Sequence, residues 1–301
     1  LVNGQAVAKT LPPRIPNEIF VFGSVYVQAP PERYLKFATD LNRLRKLSQY
    51  VAVGSFSKPP KLSDLEGFTL DHDDIMALKD CKPGDCDLQM PASRMEPLRQ
   101  SFNWSAPNVD EIVNRSLQET ALERLAAYKQ GGNQILGQYN DKKHPTQVAD
   151  QFKYMLSYHT VLPKILPDFY NYLLDYPKNK PQNVTSQFTW EKVKFGLKPT
   201  LRVIQVLVMH GTTPETPAYV IAQKQLYSSH YFETALDLSY VIRSSDDPQK
   251  PGFYLIQVMG SEQSGLTGFK GSIIRRVAVD RSVTSLQKSL AAIKATMESN
   301  P

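Results

Sequence analysis

Cysteine is nearly absent: the 301-residue chain has two, Cys81 and Cys86. That excludes a four-thiolate zinc or iron–sulfur site within the chain. Long apolar runs are also missing. The longest, VIQVLVM at 203–209, falls far short of the roughly 18 residues of a membrane helix and suits a buried strand. The signatures of common enzyme classes are absent too. There is no Gly-x-Ser-x-Gly elbow, phosphate-binding P-loop, His-Glu-x-x-His or dinucleotide fingerprint. GSEQSG at 260–265 has the wrong spacing, and GLTGFKGS at 265–272 reads as a tight turn or a mobile entrance before a helix. No catalytic residue is legible, and no cofactor is implied. A triad from distant residues, such as His230 with Asp237 and a serine, is neither supported nor excluded.

The two cysteines lie in LKDCKPGDCDLQMP, residues 78–91. Four residues separate them, whereas a dithiol redox motif has two. Five histidines are spread along the chain, at 72, 144, 159, 210 and 230, so metal-ligand spacing is poor and no metal site is expected. His72 alone lies near the pair. The LDHDD stretch around it does not match an EF-hand loop and reads as a solvated acidic segment. Pro83-Gly84 favours a chain reversal, because proline fixes φ and glycine accepts positive φ. A reversal there brings Cys81 and Cys86 within disulfide reach, with two unreactive thiols as the alternative. The expected structural disulfide implies an oxidising home, hence a periplasmic or secreted protein.

Formal net charge is +6 and the isoelectric point about 9.1. The densest basic runs, NRLRK at 42–46 and IIRRV at 273–277, carry no interleaved aromatics. Nucleic acid is therefore not an expected partner, while a peripheral contact with an anionic membrane or an envelope protein stays open. Three Asn-x-Ser/Thr triplets, at Asn103, Asn114 and Asn183, matter only if the source glycosylates.

Along the chain, residues 1–18 are proline-rich and read as an extended lead-in. IFVFGSVYVQ (19–28) and YVAVGSFS (50–57) read as strands flanking a helix that opens at Pro31. Residues 58–180 form a largely irregular and helical insertion. GFTLDHDDIMALKDC fits two short strands, or a strand and a helical turn. Asn108 is a plausible N-cap for a helix whose Val109, Val113, Leu117, Ala121 and Leu125 share one face, with Gly131-Gly132 at its end. The tyrosine-rich helical segments read first as core. From 184 the pattern becomes alternating strands with short turns, an antiparallel meander. Val279, Val283, Leu286, Leu290, Ile293 and Met297 stripe one long final helix. The expectation is a single α+β domain over 1–301.

The stretch SVYVQAPPERYLKFATD resembles the opening strand and helix of START-like (Bet v 1-like, helix-grip) proteins, and GSIIRRVAVDRSVTSLQKSLAAIKATME resembles their closing helix. Together they cover 45 of the 301 residues. The resemblance implies a curved antiparallel sheet gripping the C-terminal helix around a cavity for an apolar small molecule or lipid. Leu286, Leu290 and Ile293 are then the cavity-lining candidates. It implies an exported binding protein for an apolar or amphipathic ligand. The alternatives are an enzyme on the same fold, using His210 or His230 with a carboxylate, and an interaction subunit contacting partners through its tyrosine-rich helices and acidic 64–87 loop.

Overall fold

A computed structural model describes residues 4–195, 198–244 and 252–299. The chain opens with strands β1 (Val7–Leu11) and β2 (Glu18–Val27), then helices α1 (Pro31–Thr39) and α2 (Leu41–Leu44) and strand β3 (Tyr50–Ser55). Next come α3 (His72–Leu78), α4 (Ala92–Ser101) and α5 (Val109–Gly131), a short pair β4 (Gln138–Tyr139) and β5 (Thr146–Gln147), and α6 (Val148–Leu156), α7 (Leu162–Ile165) and α8 (Pro167–Asp175). The meander β6 (Val184–Lys194), β7 (Pro199–His210), β8 (Tyr219–Ser228), β9 (Phe232–Arg243) and β10 (Phe253–Gln263) leads into α9 (Gly268–Glu298). The architecture is α+β, as expected. All pairings in the main eight-stranded sheet are antiparallel, in the order β1-β2-β10-β9-β8-β7-β6-β3.

Both faces of this sheet are covered. On β7, Leu207 and Met209 join a cluster with α6 and α8, while Ile204, Val206 and Val208 join one with α1 and α9. Alternate residues of a strand point to opposite faces, so double coverage requires an unbroken apolar run. That is why VIQVLVM lacks polar alternation. A third cluster gathers α3, α4 and α5 over Trp190, Leu201 and Val203.

Several local expectations need correction. The 1–18 lead-in contains β1, which pairs with β2 from Val7↔Ser24 to Leu11↔Phe20 and forms a sheet edge. The stretch around His72 is helix α3. Asn108 holds the N-cap position of α5 without a side-chain capping bond. Gly132 does follow that helix, at φ 66°. A Cβ there would lie 1.7 Å from the Tyr176 carbonyl oxygen, so only glycine fits.

The cysteines form a disulfide across the reversal, with Cα atoms 4.5 Å apart. Lys82 and Asp85 exchange backbone hydrogen bonds of 3.1 and 3.0 Å, and Gly84 sits at φ 85°. This is the positive-φ position that the Pro-Gly pair supplies.

Candidate functional site

The four α5 residues Val113, Leu117, Ala121 and Leu125 lie on one helical face, as their spacing requires. Val113 and Leu125 belong to the third core cluster, and Leu117 and Ala121 pack against it. They form one wall of a cavity of about 240 Å³, and Leu117 and Ala121 stay only half-buried because space lies in front of them. Across from them stand Leu88, Met90, Pro91 and Leu98, from the 79–91 loop and α4. Val203, Leu226 and Tyr227 supply the sheet side. The densest contacts of α5 are with the turn after it, the 62–65 turn and α3 rather than with a strand, which leaves the gap.

The disulfide helps to fix one rim. The loop that it closes is stitched to the 140–141 segment: Gly84 N–H donates to Asn140 O (2.7 Å), Cys86 N–H to Asp141 O (3.1 Å), and Asn140 N–H to Met90 O (2.9 Å). Gln89 N–H donates to Ser229 O (3.0 Å), tying the rim to the start of the β8–β9 connection. Leu88 through Pro91 are thereby presented to the cavity.

Polar groups on the wall are few. Arg124 is half-buried and Arg94 is exposed, and both line the cavity. Among the described residues, neither guanidinium has a carboxylate partner or a side-chain hydrogen bond. Burial pushes the Tyr139 and Tyr227 hydroxyls above their ordinary range, and Arg124 offsets part of that. An unpaired guanidinium beside an apolar cavity attracts a carboxylate, sulfate or phosphate.

At the inner end, Tyr128 is held by a buried chain. Its hydroxyl donates to Gln205 Oε1 (2.7 Å) and accepts from Lys224 Nζ (3.1 Å), and its ring stacks on Tyr176 with centroids 4.9 Å apart. Lys224 also donates to Asn133 Oδ1 and lies 3.8 Å over the Phe152 ring. Burial alone drives its amine well below its ordinary pKa. The sequence held a signal here. Val220, Ala222, Lys224 and Leu226 share one face of an alternating strand, so the lysine falls in the apolar phase.

The histidines separate. His72 bonds Asp110 at the surface, and His144 is exposed. His159 is buried, and burial, with the nearby Arg14 charge, pulls its pKa down to about 4. His210 is half-exposed, 5.4 Å from the Tyr219 ring. His230 meets a carboxylate, but it is that of Asp74: Nε2 lies 2.9 Å from Asp74 Oδ2, and Nδ1 lies 3.0 Å from the Asp87 carbonyl oxygen. Burial raises the Asp74 carboxyl, yet hydrogen bonds from His230 and Lys198 outweigh it and hold the carboxyl below its usual range. Both ring nitrogens of His230 are spent, which leaves none to activate a serine hydroxyl. Asp237 points to the opposite sheet face, out of phase with Leu236 and Leu238. Burial pushes its pKa up to about 6; Arg202 opposes this and Glu191 adds to it.

Leu286, Leu290 and Ile293 are buried, and none lines the 240 Å³ cavity. Leu286 and Leu290 lie over Gly23 of β2, so close that a Cβ there would be 2.6 Å from Leu290 Cδ1. That contact leaves no gap between helix and strand at this point, and α9 lies along β1 and β2 on the other side of the sheet. Of the tyrosines in the helical region, Tyr128, Tyr172 and Tyr176 lie in the core, while Tyr154 is exposed. In the acidic loop, Asp71 is spent on Lys192, and Asp74 and Asp87 on Lys198. Of the three glycosylation triplets, Asn114 bonds the Leu70 backbone and Asn183 the His210 carbonyl, while Asn103 is exposed.

Among the described residues, no group of three or more His, Cys, Asp or Glu is placed to hold a metal ion, and no helix is long and apolar enough to cross a membrane. No family model and no curated protein matches the chain. Among solved structures, the Zhui aromatase/cyclase from Streptomyces sp. R1128 is similar over 46% of this chain and 85% of its own, at 14% identity and a TM-score of 0.27. A likeness at that score carries no weight on ligand or chemistry.

Proposed function

We propose that this protein binds an amphipathic small molecule with an apolar body and an anionic head, in the cavity between α5 and the sheet. The observation that carries the reading is the pairing of an apolar wall with two guanidinium groups that have no carboxylate of their own. Ligand sites are typically concave and apolar, with a few charged groups that orient the ligand. At about 240 Å³ the space suits a medium-length chain or a small ring system better than a sterol. The disulfide fits a periplasmic or secreted home.

Decanoate, decanol and decylamine form a direct test by calorimetric titration. Decanoate is expected to bind about tenfold tighter than decanol, and decylamine weakest. Ala121→Trp, which fills the cavity, should abolish binding of all three. Arg124→Gln should level decanoate with decanol while leaving decanol binding intact. Failure of all three to bind the wild type, or undiminished binding by Ala121→Trp, overturns the reading.

A further inference from the structure

The first turns of α9 break the rule that a long amphipathic helix buries its apolar side. Phe269 is 86% exposed, Ile273 56%, Ile274 55% and Val277 45%. Between residues 268 and 277 only Gly271 is buried and Arg275 half-buried, so this end stands off the body. A cleft of about 390 Å³ separates it from Thr10–Pro13. Further along, Leu286, Leu290, Ile293 and Met297 bury the other side of the same helix. Phe269, Ile273 and Val277 recur at i, i+4 and i+8, on one outward face, with Ile274 beside them.

Charge surrounds that apolar face. Lys270, Arg275, Arg276 and Arg281 lie within the same turns, against one acid, Asp280. Arg275 is partly engaged with the Pro16 and Glu18 carbonyls. Lys270, Arg276 and Arg281 are exposed. A projecting helix end with large apolar side chains between cations has the chemistry of an interfacial anchor. The rings and branched chains enter the acyl boundary, and the cations meet anionic headgroups. The cleft between α9 and Thr10–Pro13 lies beside Arg276 rather than in front of Phe269 or Ile273.

We propose that the first turns of α9, through Phe269, Ile273, Ile274 and Val277 with the flanking Lys270, Arg276 and Arg281, dock this protein on an anionic lipid surface. The proposal is independent of the ligand cavity, which lies on the other side of the sheet. Flotation with vesicles of phosphatidylcholine containing about one third phosphatidylglycerol tests it, with pure phosphatidylcholine vesicles as the control. Expected is binding to the anionic vesicles at least about tenfold stronger than to the neutral ones, weakening as salt rises from about 0.1 to about 0.5 M. The triple variant F269S/I273S/I274S should lose binding by about tenfold or more. Its thermal midpoint should not fall, because these side chains are exposed. Absence of vesicle binding, equal binding to both compositions, or undiminished binding by the triple variant overturns the proposal. So does a wild-type dimer in sedimentation that the triple variant dissolves, which would assign the face to a second copy.

Discussion

Lys224 shows how far one side chain can depart from its residue type. It is fully buried in the centre of a strand, its amine bonded to a tyrosine hydroxyl and an amide oxygen, with no carboxylate partner among the described residues. Desolvation disfavours the charged form, so the folded pKa falls below the unfolded value near 10.5. The unfolded chain therefore binds more protons than the folded one between the two values. Stability on this account rises with pH between the folded value and 10.5 and is lost as pH falls through that interval. Lys224→Met is expected to be more stable than wild type at pH 7, with the gap closing by up to about 1.4 kcal/mol per pH unit towards pH 10. Urea midpoints at pH 7, 8 and 9 check this, and a pH-independent gap would show that the amine is charged in the fold. Lys224 was partly legible from its strand phase. The Asp74–His230 contact was not, because 156 residues separate the partners.

At the scale of elements, the 78–91 loop joins a covalent staple to the candidate site. Its closed ring is short, so the entropic gain is modest, about 2 kcal/mol. The larger consequence is positional, because Leu88, Met90 and Pro91 line the cavity just beyond Cys86. The Cys81→Ser/Cys86→Ser double variant should lose about 2 kcal/mol in chemical denaturation. It should also lose decanoate affinity by more than Arg124→Gln does. Unchanged affinity would mean that the backbone bonds to Asn140 and Asp141 hold the rim by themselves. Elements with a strong period were legible: the meander strands, the α5 stripe and the α9 stripe all formed near their expected places. β1 was not, since an edge strand between prolines carries little apolar pattern; α3 was legible only as the helical turn in one of two alternatives, since its acidic surface masks three buried positions, Asp74, Ile75 and Leu78.

For the molecule as a whole, the insertion between β3 and β6 has no core of its own. Its clusters include sheet residues, and Phe188, Leu226 and Tyr227 pack against both of them. The expectation of one domain thus becomes a prediction of one cooperative transition, with calorimetric and van't Hoff enthalpies equal. Two resolved transitions would make the insertion a separate unit. What the sequence determined by itself was local. Periodicity set the strands and helices, Pro-Gly set the reversal that brings the cysteines together, and the apolar run at 203–209 required burial on both faces. Only the tertiary structure decided where space remains. A helical face reads the same in sequence whether it packs or lines a void, because the periodicity of α5 or α9 records which side is apolar and not what stands opposite. Leu290 met a glycine at contact distance, whereas Leu117 and Ala121 met a gap. That difference, fixed by long-range packing, moved the candidate site from α9 to α5.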